Sequence, residues 1–240
     1  MPTLSPEQLT GKARTHVLEL QEAGCTLQTD AARAYLALRS AALSDGIAVA
    51  AASSFRPFEH QLAIWNDKFL GRRALLDRDG RALDRTQMAE AQIVHAILLW
   101  SALPGASRHH WGTEIDVFDR NTLPSGKPML LPAEFAPGGL FSALDRWLQQ
   151  HAERFGFFRP YDRDRGGVAP EPWHLSFAPV SGQALQTLRL EVLAEALSSV
   201  DLAGVTVVRS QLAGIYERYV LAVATPPPQA LRPAAWASEH

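Results

Sequence analysis

The sequence holds a single cysteine, Cys25, so neither an intrachain disulfide nor a thiolate metal cluster can form. It also lacks a dense block of Lys or Arg: 23 basic residues against 25 acidic ones leave a net charge of -2. The most basic stretch, from Arg72 to Arg85, is interrupted by Asp77, Asp79 and Asp84 and reads as a solvated loop, which excludes the basic stripe of a nucleic-acid-binding protein. No run approaches the roughly 18 apolar residues of a spanning helix. The segment from Met1 to Gly24 has no apolar core behind a basic start, so no secretory signal is visible. The expectation is a chain without a membrane span, cytoplasmic or exported to the periplasm by a route the sequence does not show. The helical zincin motif H-E-x-x-H and the serine-hydrolase elbow G-x-S-x-G are both missing, which removes two large hydrolase classes.

What is present fits an ordinary globular domain: 240 residues, 47% hydrophobic, with 16 Gly and 16 Pro. A chain of that length can bury one good core without covalent staples. One unit over residues 1–224 is expected, with its motif-bearing core at about residues 47–178. A Pro-rich tail at 225–240, marked by Pro226-Pro227-Pro228, reads as extended and peripheral. Nothing in the sequence asks for an obligate partner chain, so a monomer is expected.

The apolar spacing of Leu9, Val17 and Leu20 after Pro6 predicts a helix from Ser5 to Glu22, stopped by Gly24. Asp30 reads as the N-cap of a second helix with Ala31, Ala34, Tyr35, Leu38 and Ala42 on one face. The short apolar run Ile47 to Ala52 suits a buried strand, and Pro57 opens a helix through Phe69. Helices follow at Thr86–Leu99, Phe141–Phe155, Ser181–Ser198 and Gln211–Val220, with strands at Thr113–Phe118 and Trp173–Phe177. Four prolines and three glycines make Asn121–Gly139 an irregular excursion. Helices around a small sheet whose strands lie far apart in sequence give an α+β class.

Of eight histidines, His16, His60, His95, His151 and His240 stand alone and read as surface or core residues. The run Ser107-Arg108-His109-His110-Trp111-Gly112-Thr113-Glu114-Ile115-Asp116 differs, because it gathers two imidazoles and two carboxylates on a loop entering a strand. Glu171-Pro172-Trp173-His174 adds a carboxylate three residues before an imidazole at another strand edge. A catalytic zinc site needs three such ligands, an open position, and a carboxylate off the metal to move a proton. His109, Asp116 and His174 with Glu171 would supply that set. The competing reading leaves His109 and His110 on a polar loop and His174 capping a strand.

The pattern Ser107-x-His109-x-x-Gly112-x-x-x-Asp116, joined with Glu171-x-x-His174, resembles the zinc signature of the D-alanyl-D-alanine carboxypeptidases of the vancomycin-resistance type. Ser54-Phe55-Arg56-Pro57 followed by Gln61 is similar to the segment that opens that family's substrate pocket. The resemblance implies a hedgehog- and DD-peptidase-like fold, α+β with a small antiparallel sheet carrying a zinc site. It implies one Zn2+ per chain on His109, Asp116 and His174, Glu171 as general base, and Arg56 on the terminal carboxylate of the substrate. Ser107 and Gln61 would seat the peptide backbone. The implied substrate is a peptidoglycan stem peptide or muropeptide losing its C-terminal D-alanine. Rival readings are an L,D-carboxypeptidase, a dipeptidase or endopeptidase on muropeptides, and a zinc module that only binds.

Two positions depart from the family. Glu114 stands where a small residue is usual; two residues from Asp116, it shares that residue's face in a regular strand and so comes near the metal, as a partner to a ligand histidine. It could equally alter substrate preference. Phe55 stands where the family has tyrosine. His110, Trp111 and Trp173 are candidates for the pocket wall or for plain core packing.

Overall fold

The computed structural model describes residues 3–233. The expected Ser5–Glu22 helix is not formed. Helix α1 is one turn, Pro6–Leu9, closed by a capping box in which Ser5 Oγ accepts from the Gln8 amide and Gln8 Oε1 accepts from the Ser5 amide. The chain then makes a two-stranded antiparallel ribbon, β1 (Val17–Leu20) with β2 (Cys25–Gln28), joined by a 3-10 turn at Gln21–Ala23. Local helical spacing loses here to tertiary pairing: the Gln28 amide donates to the Gly112 carbonyl and the Phe55 amide to the Thr26 carbonyl, tying β2 to the loops around the histidines. Cys25 fills a buried position in that strand, where burial pushes its thiol up to about 11.

Helix α2 (Thr29–Ser44) buries Ala31, Ala34, Tyr35, Leu38 and Ala42, as their spacing predicts. Its cap is Gln28 rather than Asp30, because the Gln28 side-chain oxygen accepts from the Asp30 and Ala31 amides. Strand β3 (Val49–Ser53) and helix α3 (Phe58–Phe69), N-capped by Pro57, follow the sequence reading. Helix α4 is shorter than expected, Glu90–Leu98, with a 3-10 turn at Arg85–Gln87 ahead of it. Strand β4 is Glu114–Asp119; the excursion after it contains only the turn of helix α5 (Pro132–Phe135). Helix α6 (Ser142–His151) runs through a 3-10 turn into β5 (Phe157–Phe158), and β6 is His174–Phe177.

These four strands form an antiparallel sheet in the order β3-β4-β6-β5, with β4 and β6 at its centre. Every residue of both central strands is buried. Ile115, Val117 and Leu175 enter a core shared with Tyr35, Leu38, Leu144 and Trp147 of α2 and α6. A second core joins α3 and α4 to helices α7 (Ala178–Thr187), α8 (Leu190–Ala196) and α9 (Val205–Ile215).

The single helix expected over Ser181–Ser198 is thus two. It breaks at fully buried Leu188, whose carbonyl accepts from the Tyr216 hydroxyl at 2.7 Å. The last predicted helix begins earlier, at Val205 after Gly204, and ends in a π turn over Tyr216–Leu221. Within the supposed extended tail, helix α10 (Pro228–Leu231) buries Ala230 against Phe158 and Ala178; residues 234–240, His240 among them, lie outside the described residues. Among the described residues no helix is long and apolar enough to cross a membrane.

Gly112 joins the ribbon to the sheet. Its φ is 67°, and a Cβ there would run into the Val17 side chain and lie 3.0 Å from the Gln28 nitrogen. Gly112→Ala is therefore expected to lose at least about 1 kcal/mol of stability, from the left-handed backbone alone. An unchanged urea-denaturation midpoint would show that this contact yields without cost.

Candidate metal centre

The sheet register assembles the site. Asp116 on β4 stands directly opposite His174 on β6, and Glu114 stands opposite Ser176. Because strand side chains alternate, Glu114 and Asp116 share one face while Ile115 and Val117 enter the core on the other. The third member, His109, comes from a 3-10 turn, Arg108–Trp111, that precedes β4. Sequence positions 109, 116 and 174 thereby converge: one donor atom from each lies within 4.8 Å of the others.

The hydrogen bonds decide which nitrogen each imidazole presents. His109 Nδ1 is 2.8 Å from the Ser54 carbonyl, which only accepts, so Nδ1 carries the proton and Nε2 offers its lone pair toward Asp116 Oδ2 at 3.4 Å. His174 Nε2 is 2.8 Å from Glu114 Oε2, so Nε2 donates there and Nδ1 faces Asp116 Oδ1 at 3.0 Å. Asp116 Oδ1 is buried and makes no aligned hydrogen bond. Ligand atoms about 2.0–2.2 Å from a tetrahedral zinc stand about 3.3–3.6 Å from one another. The donor types and tautomers suit zinc's preference, and one donor atom from each residue lies within 4.8 Å of the others.

The same contacts set the electrostatics of the cluster's own side chains. Burial opposes charge on His174, but the Asp116 and Glu114 carboxylates at its two nitrogens outweigh it and lift the imidazole to about 10. Burial likewise opposes charge on Asp116, yet His109 and His174 hold it well below the usual carboxylate range. His174 and Asp116 are thus two strongly perturbed groups at one point, while burial lowers the neighbouring His109 imidazole.

Glu114 is a hydrogen-bond partner of His174, on the strand face where its position predicts it. It is fully buried and accepts from His174 Nε2, Ser176 Oγ, Thr113 Oγ1 and the Arg108 guanidinium, the last at 3.3 Å. Burial works against its ionisation, but Arg108 and His174 prevail and hold it at about 2. His110, by contrast, is structural. Its Nε2 accepts from the Gly105 amide, its Nδ1 donates to the Arg56 carbonyl, and burial drives its pKa down to about 3. Trp111 is fully buried in the second core, and Trp173 both belongs to the first core and lines the cleft.

The cluster opens into a cleft of about 420 Å3. Arg56, His109, Asp116, Glu171 and His174 all line it. Glu171 sits with Oε2 3.4 Å from His174 Nδ1, and burial lifts its carboxyl to about 8. Arg56 is held by Gln61 Oε1 at 2.8 Å and Ser53 Oγ at 2.9 Å. Gln61 and Ser107 do not line the cleft. Gln61 is fully buried between Arg56 and the Ala102 carbonyl, and Ser107 is buried behind the 3-10 turn, where its carbonyl accepts from the His110 amide.

The cleft also holds residues that the sequence reading passed over: Lys68, Arg108, Tyr161 and the Met129–Leu131 stretch of the excursion. The spacing Gln61, Ile64, Lys68 on one face of α3 was the available signal for Lys68. Tyr161 and Met129 had none, since neither lies near a motif. Of the lone histidines, His95 bonds Tyr219 and Gln211, and His16 bonds the His110 carbonyl, both away from the metal cluster.

Glu114→Gln is expected to weaken Zn(II) binding about 10- to 100-fold in a chelator competition, the usual cost of losing a ligand's outer partner. It also leaves Arg108 buried without its counter-charge, which costs about 3 kcal/mol in urea denaturation. An unchanged competition curve would remove Glu114 from the site.

The comparisons place this geometry in a family. The model of the VanY family, D-alanyl-D-alanine carboxypeptidase, matches residues 24–180. An uncharacterized protein of Haemophilus influenzae (strain ATCC 51907 / DSM 11121 / KW20 / Rd) is 35% identical over 122 residues, covering 50% of this chain and 93% of the relative. VanYB in complex with D-alanine-D-alanine has the same fold at TM-score 0.52 and 23% identity, over 78% of this chain and 91% of that one. A mutant form of the D,D-pentapeptidase VanY from a VanB-type resistance cassette, in complex with Zn(II), matches at TM-score 0.51 and 21% identity, over 81% and 90% of the two chains. With a family match spanning the sheet, the second strand of the ribbon and His109, Asp116 and His174, the chain belongs to the D-alanyl-D-alanine carboxypeptidase (VanY) family.

Proposed function

We propose that the chain is a zinc-dependent carboxypeptidase that removes the C-terminal D-alanine from peptidoglycan-type peptides. One Zn2+ per chain would be held by His109, Asp116 and His174. The observation that carries this reading is the meeting, in one cleft, of three converging donor atoms, a buried carboxyl off the cluster and a guanidinium without an ion pair. The Zn(II) and the D-alanine-D-alanine bound by the two structural neighbours support the choice of ion and substrate.

When bound, the ion supplies Lewis acidity for the scissile carbonyl and for the attacking water. The chain's own residues do the rest. Arg56 takes the free carboxylate of the peptide, since its planar fork meets two oxygens at once, and so limits attack to the last bond. Gln61 and Ser53 hold that fork in place, so Gln61 acts through Arg56 rather than on the peptide. Ser107 acts from behind, through the turn that carries His109.

Glu171 takes the proton of the water and returns it to the departing amine. Burial brings its carboxyl to about 8, close to neutral pH, where one group serves as base and then as acid. Glu114 and the Ser54 carbonyl keep both imidazoles in the tautomers that face the ion.

Mass spectrometry of a muropeptide pentapeptide and a tetrapeptide, each incubated with the protein, tests this. The expected result is loss of one alanine from the pentapeptide, stopped by a chelator and restored by Zn(II). Loss from the tetrapeptide alone would move the specificity to an L,D bond. Absence of cleavage with zinc bound would leave only a binding module. Glu171→Gln should retain zinc and lose at least about 100-fold in turnover; normal turnover with zinc bound would reassign the base.

A further inference from the structure

Lys68 lies two helical turns beyond Gln61 on α3, and its side chain lines the same cleft as the metal cluster. Its ammonium donates to Ser101 Oγ at 2.6 Å, and among the described residues it makes no ion pair. Arg56 is in the same position: its hydrogen bonds go to neutral oxygens of Gln61 and Ser53. The other lining cations are accounted for. Arg108 is matched by Glu114, and Arg73, at the exposed rim, lies 3.5 Å from Asp67. The cleft's own carboxylates, Asp116 and Glu171, act on these cations through space, but among the described residues neither comes within ion-pair distance of Arg56 or Lys68. Two unpaired cations therefore face one half-closed space.

Even a half-buried ammonium with no counter-charge is costly. The cost is visible in Lys68 itself, which burial draws down to about 8 against the pull of Glu171. Such an arrangement is relieved when a ligand brings the anion with it. For the terminal carboxylate of a neutral peptide, the Arg56 fork alone suffices to mark the chain end. A second cation on the same wall calls for more negative charge than one such fork requires.

We infer that Lys68 is a substrate-binding residue of the cleft, its ammonium taking a carboxylate of the bound peptide beside the Arg56 guanidinium. The inference rests on the carboxypeptidase reading and narrows its substrate class to peptides whose negative charge this wall can neutralise. The carboxylate has two possible sources: the chain terminus, shared between Lys68 and Arg56, or an acidic side chain on a preceding residue. Lys68 is not within the metal cluster, so its removal leaves the donor set intact.

The test is steady-state kinetics of the zinc-loaded full chain, wild type against Lys68→Met and Lys68→Gln. Two peptides ending in D-alanyl-D-alanine are compared, one with an acidic and one with a neutral side chain at the third position. Zinc content and circular dichroism are recorded for each variant, and Lys68→Arg serves as the conservative rescue. The expected result is a KM raised about tenfold or more, as for loss of a hydrogen bond to a charged group, with kcat within about twofold and substantial recovery by Lys68→Arg. An equal rise on both peptides assigns Lys68 to the terminal carboxylate, and a rise confined to the acidic peptide assigns it to the side chain. An unchanged KM on both peptides overturns the inference, as does a fall in kcat alone, which would make Lys68 a tuner of Glu171. A wild type that cleaves neither peptide overturns the carboxypeptidase reading, and the inference with it.

Discussion

The antiparallel pairing of β4 with β6 is the constraint on which the site depends. It puts Asp116 across from His174 and Glu114 across from Ser176, so three members of the polar cluster and the serine beside them are set by one ladder. Strand alternation makes this register all-or-none: a slip of one residue would send both carboxylates into the core and Ile115 and Val117 into the cleft. The apolar residues that must be buried thus dictate where the polar ones stand. The same cost that drives folding, exposure of Ile115, Val117 and Leu175, enforces the geometry of the donors.

Around that ladder the protein concentrates buried charge, and each group has an answer. Arg108 faces Glu114, Glu114 faces His174, and His174 and His109 face Asp116. Pairs of this kind add little net stability over apolar packing, but removing one member strands the other. Their return is positional: a carboxylate on one side of His174 and a carbonyl on one side of His109 leave only one nitrogen on each ring free for a ligand bond. His110, next in sequence to His109, goes the other way. It is kept neutral and bonded to backbone groups of Arg56 and Gly105, so the loop that carries Arg56 is pinned by a histidine that never meets the metal cluster.

Arg56, Gln61 and Lys68 extend the site along α3 and the loop before it. Gln61 reaches both Arg56 and the Ala102 carbonyl, while Lys68 reaches Ser101 beside it, so the helix and the 101–102 loop close one wall together. The excursion after β4 approaches from another side through Met129, Leu130 and Leu131. Opposite chemistries therefore meet across the space: carboxylates and imidazoles in the cluster, cations along the α3 wall, and apolar side chains from the excursion.

The chemistry-bearing residues were legible because a metal site demands particular side chains at particular spacings, and no other part of the chain offered them. Glu114 was legible too, since two residues on a strand share a face. The short N-terminal ribbon was not, because Leu9, Val17 and Leu20 satisfy a helical period until pairing to Thr26, Phe55 and Gly112 outweighs it. Nor was the break at Leu188, which rests on a hydroxyl 28 residues away. By itself the sequence determined the inventory: the His, Asp, Glu and Arg residues that meet in one cleft, and the strands and helices whose periodicity is strong. Tertiary structure alone decided which histidine nitrogens face Asp116, that Gln61 and Ser107 stand behind the cleft, and that Lys68 enters it. Those choices depend on contacts between segments remote in sequence, whose energies no local pattern records.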